Sequence, residues 1–349
     1  MIGETLVTCA TSLTARSLAC LLGVVAKLLL LASPLCAQVA GEPQAKLDEQ
    51  QLAARGIRVL RGAHIELLTD VPSSPAVDEL PAVFDAAVPQ WRTLFGLPEK
   101  ATVGWRRRAY LMADRKVFEA AGVLPDDLPE FPNGYTFRDA IFMLDVKNDY
   151  YRRHLFLHEG THLTQFMLAR PHVAQWFSEG LAEVLGTHRW KDGKLELGVY
   201  PSAPDEFPRW GRIEILRDET KRGRTHALED LRGWEPRRFA KNDAYAWCWA
   251  TVAVLRDHPR YRDATAKLLT KSRDADLDAA LAKLTPTLRD DLAIFAQEAT
   301  YAYDWDRNAV DFRDGRPFPP NIDRAARPSP PTRAGNRAGS ASKPARPTT

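Results

Sequence analysis

His158-Glu159-Gly160-Thr161-His162 places two imidazoles four residues apart, with a carboxylate directly after the first. On a helix, positions i and i+4 lie one turn apart on one face, so both rings can reach a single ion. Glu159 flanks that face, within reach of a water on the same ion. H-E-x-x-H on a helix is the pattern of a zinc site in which the Glu acts as general base. A zinc that does chemistry takes three protein ligands and keeps one position open. The candidate third ligand is Glu179, in Gln175-Trp176-Phe177-Ser178-Glu179-Gly180-Leu181-Ala182-Glu183. Sixteen residues separate it from His162. That length lets the first helix end, turn at Arg170-Pro171 and feed an antiparallel second helix, since proline cannot continue a helix. Glu183 lies one turn beyond Glu179 and is expected to take the outer N–H of His158, fixing its tautomer.

H-E-G-T-H followed by W-F-S-E-G-L-A-E resembles the gluzincin clan of zinc metallopeptidases, specifically its peptidase-MA-like bacterial families. The motif-level likeness covers about Tyr135 to Trp249; before that only the order strand, helix, strand, metal helix is similar. The resemblance implies that His158, His162 and Glu179 bind Zn2+ and that Glu159 is the general base and acid. It implies that an edge strand just before the metal helix pairs with an extended substrate. It also implies an oxyanion donor, a Tyr or His beyond the third ligand. Tyr245, opening Tyr245-Ala246-Trp247-Cys248-Trp249, is the candidate, and His188 the alternative. His154 is expected to hydrogen-bond locally. Arg212 could meet a substrate carboxylate or form a structural salt bridge. The chain lacks the G-x-M-E-N element with which aminopeptidase-N-like enzymes hold a free amine. It also lacks the closely spaced third His of metzincins.

The expected function is therefore an exported zinc metallohydrolase acting on a peptide or protein substrate, with Glu159 accepting the proton of the attacking water. Two alternatives stand beside it: a non-catalytic binding or scaffold protein of the gluzincin fold, and a hydrolase of a non-peptide amide in the cell envelope. A closed structural zinc would take a fourth protein ligand, commonly Cys. Cys248, the one cysteine outside the leader, carries no supporting motif.

The elements that must position these residues are legible in the apolar spacing. Ile57–Thr69 alternates as a strand, Val77–Phe95 is helical despite Pro81 and Pro89, and Val103–Met112 is a second strand. Arg106, Arg107 and Arg108 on it read as a solvated strand edge. Phe118–Asp127 is short helix and loop, and Gly134–Val146 is a strand running into the metal helix, Tyr151–Leu168. Gly160 costs that helix stability, which close approach of a backbone or substrate would explain. Ala174–Leu185 is the second helix. Trp190–Val199 is a hairpin turning at Lys191-Asp192-Gly193-Lys194. Beyond Arg212 the pattern is helical at Asp243–His258, Tyr261–Thr270, Asp276–Leu284 and Pro286–Tyr303. The predicted fold class is α+β: a mixed or antiparallel N-terminal sheet, the two metal helices, and a helical C-terminal part. Residues 55–210 form the metal-binding part and 211–314 the helical part.

The flanks differ in composition. Residues 1–37 hold Arg16, then an apolar stretch from Leu18 to Leu35 broken by Lys27 and Pro34, and end Leu35-Cys36-Ala37. This reads as a cleaved signal peptide, or else an uncleaved membrane anchor. Residues 38–54 read as a linker or frayed helix. Residues 315–349 are rich in Pro, Arg, Ala and Ser and carry seven basic residues against Asp323. Such a segment cannot bury enough surface to fold; it reads first as a simple solvated tail, with contact to an anionic envelope polymer as the alternative. Without interleaved aromatics it gives no nucleic-acid signature. The whole chain carries +3, so the folded part is mildly acidic.

Overall fold

A computed structural model describes residues 46–169, 173–270, 280, 281, 283 and 285–308. The predicted leader, the break at Arg170-Pro171, most of the predicted Asp276–Leu284 helix and the basic tail lie outside the described residues.

The chain enters through α1 (Glu49–Ala54), capped by the Asp48 side chain accepting from Gln51 N. The segment predicted as one strand is a hairpin, β1 (Arg58–Arg61) and β2 (Ile65–Thr69). The reversal is pinned from outside: Asp85 accepts from Ala63 N at 2.6 Å and His64 N at 2.8 Å. A Cβ on Gly62 would stand 2.5 Å from that carboxylate, so the turn needs glycine there. Two helices follow, α2 (Pro75–Asp78) and α3 (Leu80–Leu94); Pro81 sits in the first turn of α3, and Pro89 is tolerated inside it. Next come β3 (Arg107–Met112) and α4 (Arg115–Ala120). The predicted Gly134–Val146 strand is again a hairpin, β4 (Gly134–Phe137) and β5 (Ala140–Leu144), turning through Arg138 at φ 54°.

These strands form one mixed sheet, order β1-β2-β3-β5-β4, so β4 is an edge. β3 runs parallel to both neighbours, β2 and β5. It is central, which corrects the solvated-edge reading for Arg108, buried and paired with Glu66 on β2 at 3.3 Å; Arg107 is half-buried, and Arg106, just before the strand, is exposed. Period-2 alternation assigns the two faces. Ile65, Leu67, Ala109, Leu111, Ile141 and Met143 face one core; Leu68, Tyr110, Met112, Ala140 and Phe142 face another, closed by Leu52, Phe118 and Phe131.

The first core is the larger, and it holds α5 (Asp149–Thr164), the helix that carries His158 and His162. The Asn148 side chain caps α5, accepting from Tyr151 N at 2.8 Å. Its last turn loosens into a π-turn, Gln165–Ala169. Then come α6 (Gln175–Gly186) and the hairpin β6 (His188–Lys191) and β7 (Lys194–Leu197). Asp192 and Gly193 both take positive φ at its turn, as a tight two-residue hairpin demands. The rest is helical: α7 (Arg212–Lys221), α8 (Leu228–Arg232), α9 (Asn242–Asp257), α10 (Arg262–Leu269), α11 (Thr285–Glu298) and α12 (Trp305–Asn308). Leu288, Leu292 and Phe295, the apolar stripe of α11, and Ala299 just after it are buried. The same core that covers the sheet continues through Trp176, Trp210, Trp247 and Phe295. The described residues thus form an α+β fold. Among them, no helix is long and apolar enough to cross a membrane.

Candidate metal centre

Two glycines allow the helices that carry the site to approach. Gly160 lies against α3: a Cβ there would stand 2.5 Å from the Trp91 ring and 3.0 Å from Phe84. The close neighbours are aromatic side chains, not the backbone or substrate expected from the sequence. Gly180 lies against α9, where a Cβ would come 2.3 Å from the Cys248 carbonyl oxygen. With α6 pressed onto α9 through Gly180, Glu179 beside it turns toward α5, and Tyr245 in the first turns of α9 reaches the same place.

The result is a tight triangle of lone-pair atoms. His158 Nε2 and His162 Nε2 are 3.2 Å apart. Glu179 Oε2 is 3.4 Å from each of them. Zinc bonds of roughly 2.0–2.2 Å to imidazole nitrogen and carboxylate oxygen imply a tetrahedron edge of about 3.4 Å. The triangle matches one face of that tetrahedron.

Each imidazole is held from behind. His162 Nδ1 is 3.0 Å from Ser178 Oγ, and that hydroxyl donates to Gln165 Oε1 at 3.2 Å. With its proton so used, Ser178 accepts from His162 Nδ1–H, so that whenever Nε2 gives up its own proton the lone pair is left there. Glu183 Oε1 lies 3.3 Å from His158 Nδ1. Glu183 is itself gripped by the buried guanidinium of Arg212, Nε to Oε2 at 2.8 Å and Nη2 to Oε1 at 3.1 Å. Arg212 is therefore a structural ion-pair partner and does not stand free for a substrate carboxylate. Ser178 and Gln165 were missed in the sequence; Ser178 adjoins a ligand, yet its direction only follows once α6 is docked.

The electrostatics call for a cation. Burial disfavours a charged His158, yet hydrogen bonds to Glu179 and Glu183 overcome it and push its pKa up to about 10. Glu179 is held down at about 2 against its own burial by the charge of His162 and hydrogen bonds from His158 and His162. Burial opposes ionisation of Glu183 as well, but Arg212 holds it well below the carboxylate range. A metal ion bound at the triangle would have to displace the proton on His158. A second cluster, His154, His158 Nδ1 and Glu183, also has ligand-like spacing. The Arg212 charge on that carboxylate disfavours a second cation there, and burial lowers the His154 pKa, leaving it neutral.

Glu159 is buried beside the triangle, on the side where the edge strand β4 passes. Thr136 Oγ1 is 2.7 Å from Glu159 Oε2. Tyr245 sets its ring edge-on to His158, centroids 5.9 Å apart, with the Arg212 guanidinium 5.5 Å over its face. Burial and the Glu179, Glu183 and Glu159 carboxylates raise the Tyr245 pKa, so its hydroxyl stays a donor. His188 does not compete for that role. Its Nδ1 donates to Gly186 O at 2.8 Å, its Nε2 accepts from Arg153 at 3.3 Å, and burial lowers its pKa to about 3.

All six residues singled out in the sequence, His158, Glu159, His162, Glu179, Glu183 and Tyr245, come together here. No protein-family model matches the chain, and no curated protein matches it.

Proposed function

We propose that this chain is a zinc-dependent metallohydrolase of gluzincin type that cleaves peptide bonds, with Glu159 as general base. The observation that carries the reading is the triangle of His158 Nε2, His162 Nε2 and Glu179 Oε2, at 3.2 and 3.4 Å. Three ligands and, among the described residues, no adjoining fourth leave a position open, the arrangement of a zinc that works rather than one that only braces. When bound, zinc supplies Lewis acidity, acidifying a water and polarising a scissile carbonyl.

The chain's own residues do the rest. Glu159 accepts the water proton and returns it to the leaving amine. The protonated Tyr245 hydroxyl is the donor for the charge that develops on the carbonyl oxygen. β4, with one side unpaired, offers main-chain groups to an extended peptide, which accounts for binding without demanding particular side chains. Glu183 with Arg212, and Ser178 with Gln165, hold the two imidazoles in register.

The test is to incubate the zinc-loaded protein with a diverse peptide library, beside Glu159→Gln, and to read the products by mass spectrometry. Cleavage by the wild type alone is expected. Cleavage by both, or by neither with zinc measured as bound, removes the peptidase reading.

A further inference from the structure

Thr136 stands 23 residues before Glu159, on a different element, yet its hydroxyl lies within 2.7 Å of Glu159 Oε2 and 2.9 Å of the Glu159 carbonyl oxygen. Two residues earlier on the same strand face, Gly134 presses on the same group: a Cβ there would come 2.8 Å from Glu159 Oε1. The intervening Tyr135 and the following Phe137 point the other way, Tyr135 stacked on Phe131 and Phe137 on Tyr135. So one face of β4, Gly134 and Thr136, forms a cradle fitted to a single carboxylate. One oxygen is hydrogen-bonded by Thr136, and the other lies against the bare Cα of Gly134.

We infer that Thr136 is a positioning residue for the general base, and that β4 serves as both substrate rail and clamp on Glu159. This rests on the reading of Glu159 as base. A carboxylate on a helix has rotamer freedom that a proton transfer cannot use; a base must sit within hydrogen-bond reach of the proton it takes. Thr136 removes that freedom at Oε2. The hydroxyl has one proton and two acceptors in range, the carboxylate oxygen and the carbonyl, and donated to the carboxylate it fixes Oε2. An alternative structural role, tying β4 to α5, would be met equally by any group that fills the space. Valine fills it, suits a strand, and has no proton to give.

The experiment uses the zinc-loaded full chain with 13C-labelled glutamate carboxyls, the Glu159 resonance being assigned with Glu159→Gln. Thr136→Val is expected to move that resonance clear of its wild-type position, and Thr136→Ser to leave it there. In peptide hydrolysis Thr136→Val should lower kcat about 10- to 100-fold, with KM and zinc affinity changed less than about threefold and Thr136→Ser recovering most of the rate. A Glu159 resonance unmoved by Thr136→Val overturns the inference whether or not any peptide is cut. So does a serine variant as impaired as the valine one. Wild-type protein that cuts no peptide while Thr136→Val still moves the resonance leaves the clamp standing and removes the hydrolase reading alone.

Discussion

Glu183 Oε1 is shared between His158 Nδ1, at 3.3 Å, and Arg212 Nη2, at 3.1 Å. One carboxylate therefore orients a metal-facing imidazole and neutralises a buried guanidinium. Removing Arg212 leaves Glu183 buried with half its positive surroundings gone. Breaking a buried pair from one side costs about 3–5 kcal/mol. Arg212→Met is expected to lose stability on that scale in denaturant unfolding of the zinc-free protein, and to bind zinc less tightly. A change under about 1 kcal/mol would mean that Glu183 finds another partner.

The two imidazoles are not held alike. His158 faces a carboxylate, whereas His162 faces a hydroxyl that hands on to Gln165. Losing such an outer partner typically weakens metal binding about 10- to 100-fold. Ser178→Ala is expected near the low end of that range in a competition titration with a zinc chelator. Glu183→Gln, which removes a charge, should fall nearer the high end.

Tyr245 is the donor assigned to the developing oxyanion, and removing such a donor costs roughly 10²–10³ in kcat elsewhere. Tyr245→Phe keeps the ring against His158 and Arg212 and removes only the hydroxyl. A fall in kcat of about 100-fold with KM nearly unchanged is expected, since the contact forms in the transition state. Steady-state kinetics on a peptide found in the library would decide it; an unaltered kcat would free Tyr245 of the role.

The metal-free protein should have a characteristic pH response. The His158 pKa rises from 6.5 to about 10 on folding, so its contribution is complete below pH 6.5 and lost as pH climbs toward 10. The Glu179 pKa falls from 4.5 to about 2, so its contribution is complete above pH 4.5 and lost as pH drops toward 2. Both are fully present only between pH 4.5 and 6.5. Zinc must displace the His158 proton, so near pH 8 binding should release close to one proton, read by calorimetry in buffers of different ionisation enthalpy. Denaturant midpoints of the metal-free protein that rise steadily from pH 6 to 9 would contradict the assignment.

Much of the site was legible before any fold was known. His158 and His162 are candidate ligands on one face because i and i+4 are adjacent on any helix. Glu179 and Glu183 follow by the same rule on the next helix. Hydrophobic alternation located β3 and the approximate extent of α5, α6 and α9, because side-chain period is set by local backbone geometry. The errors arose where distant groups decide. Ile57–Thr69 and Gly134–Val146 each read as one strand, since alternation survives a tight reversal. The first reverses because Asp85, over twenty residues away, accepts two of its amides. Arg106–Arg108 looked like an edge because charge reads as exposure; Glu66, across the ladder, makes the centre of the sheet tolerable for Arg108. Gly160 was recognised as a point of close approach, but Trp91 and Phe84 as its neighbours are a matter of helix docking. The outer partners Ser178, Gln165 and Thr136 belong to the same class, whereas Arg212 was named in the sequence and the structure only supplies its partner, Glu183. The sequence by itself determined which side chains can grip a metal, through spacing within single helices. Only the tertiary structure decided what holds those side chains still, because hydrogen-bond direction across separate elements depends on how their faces pack.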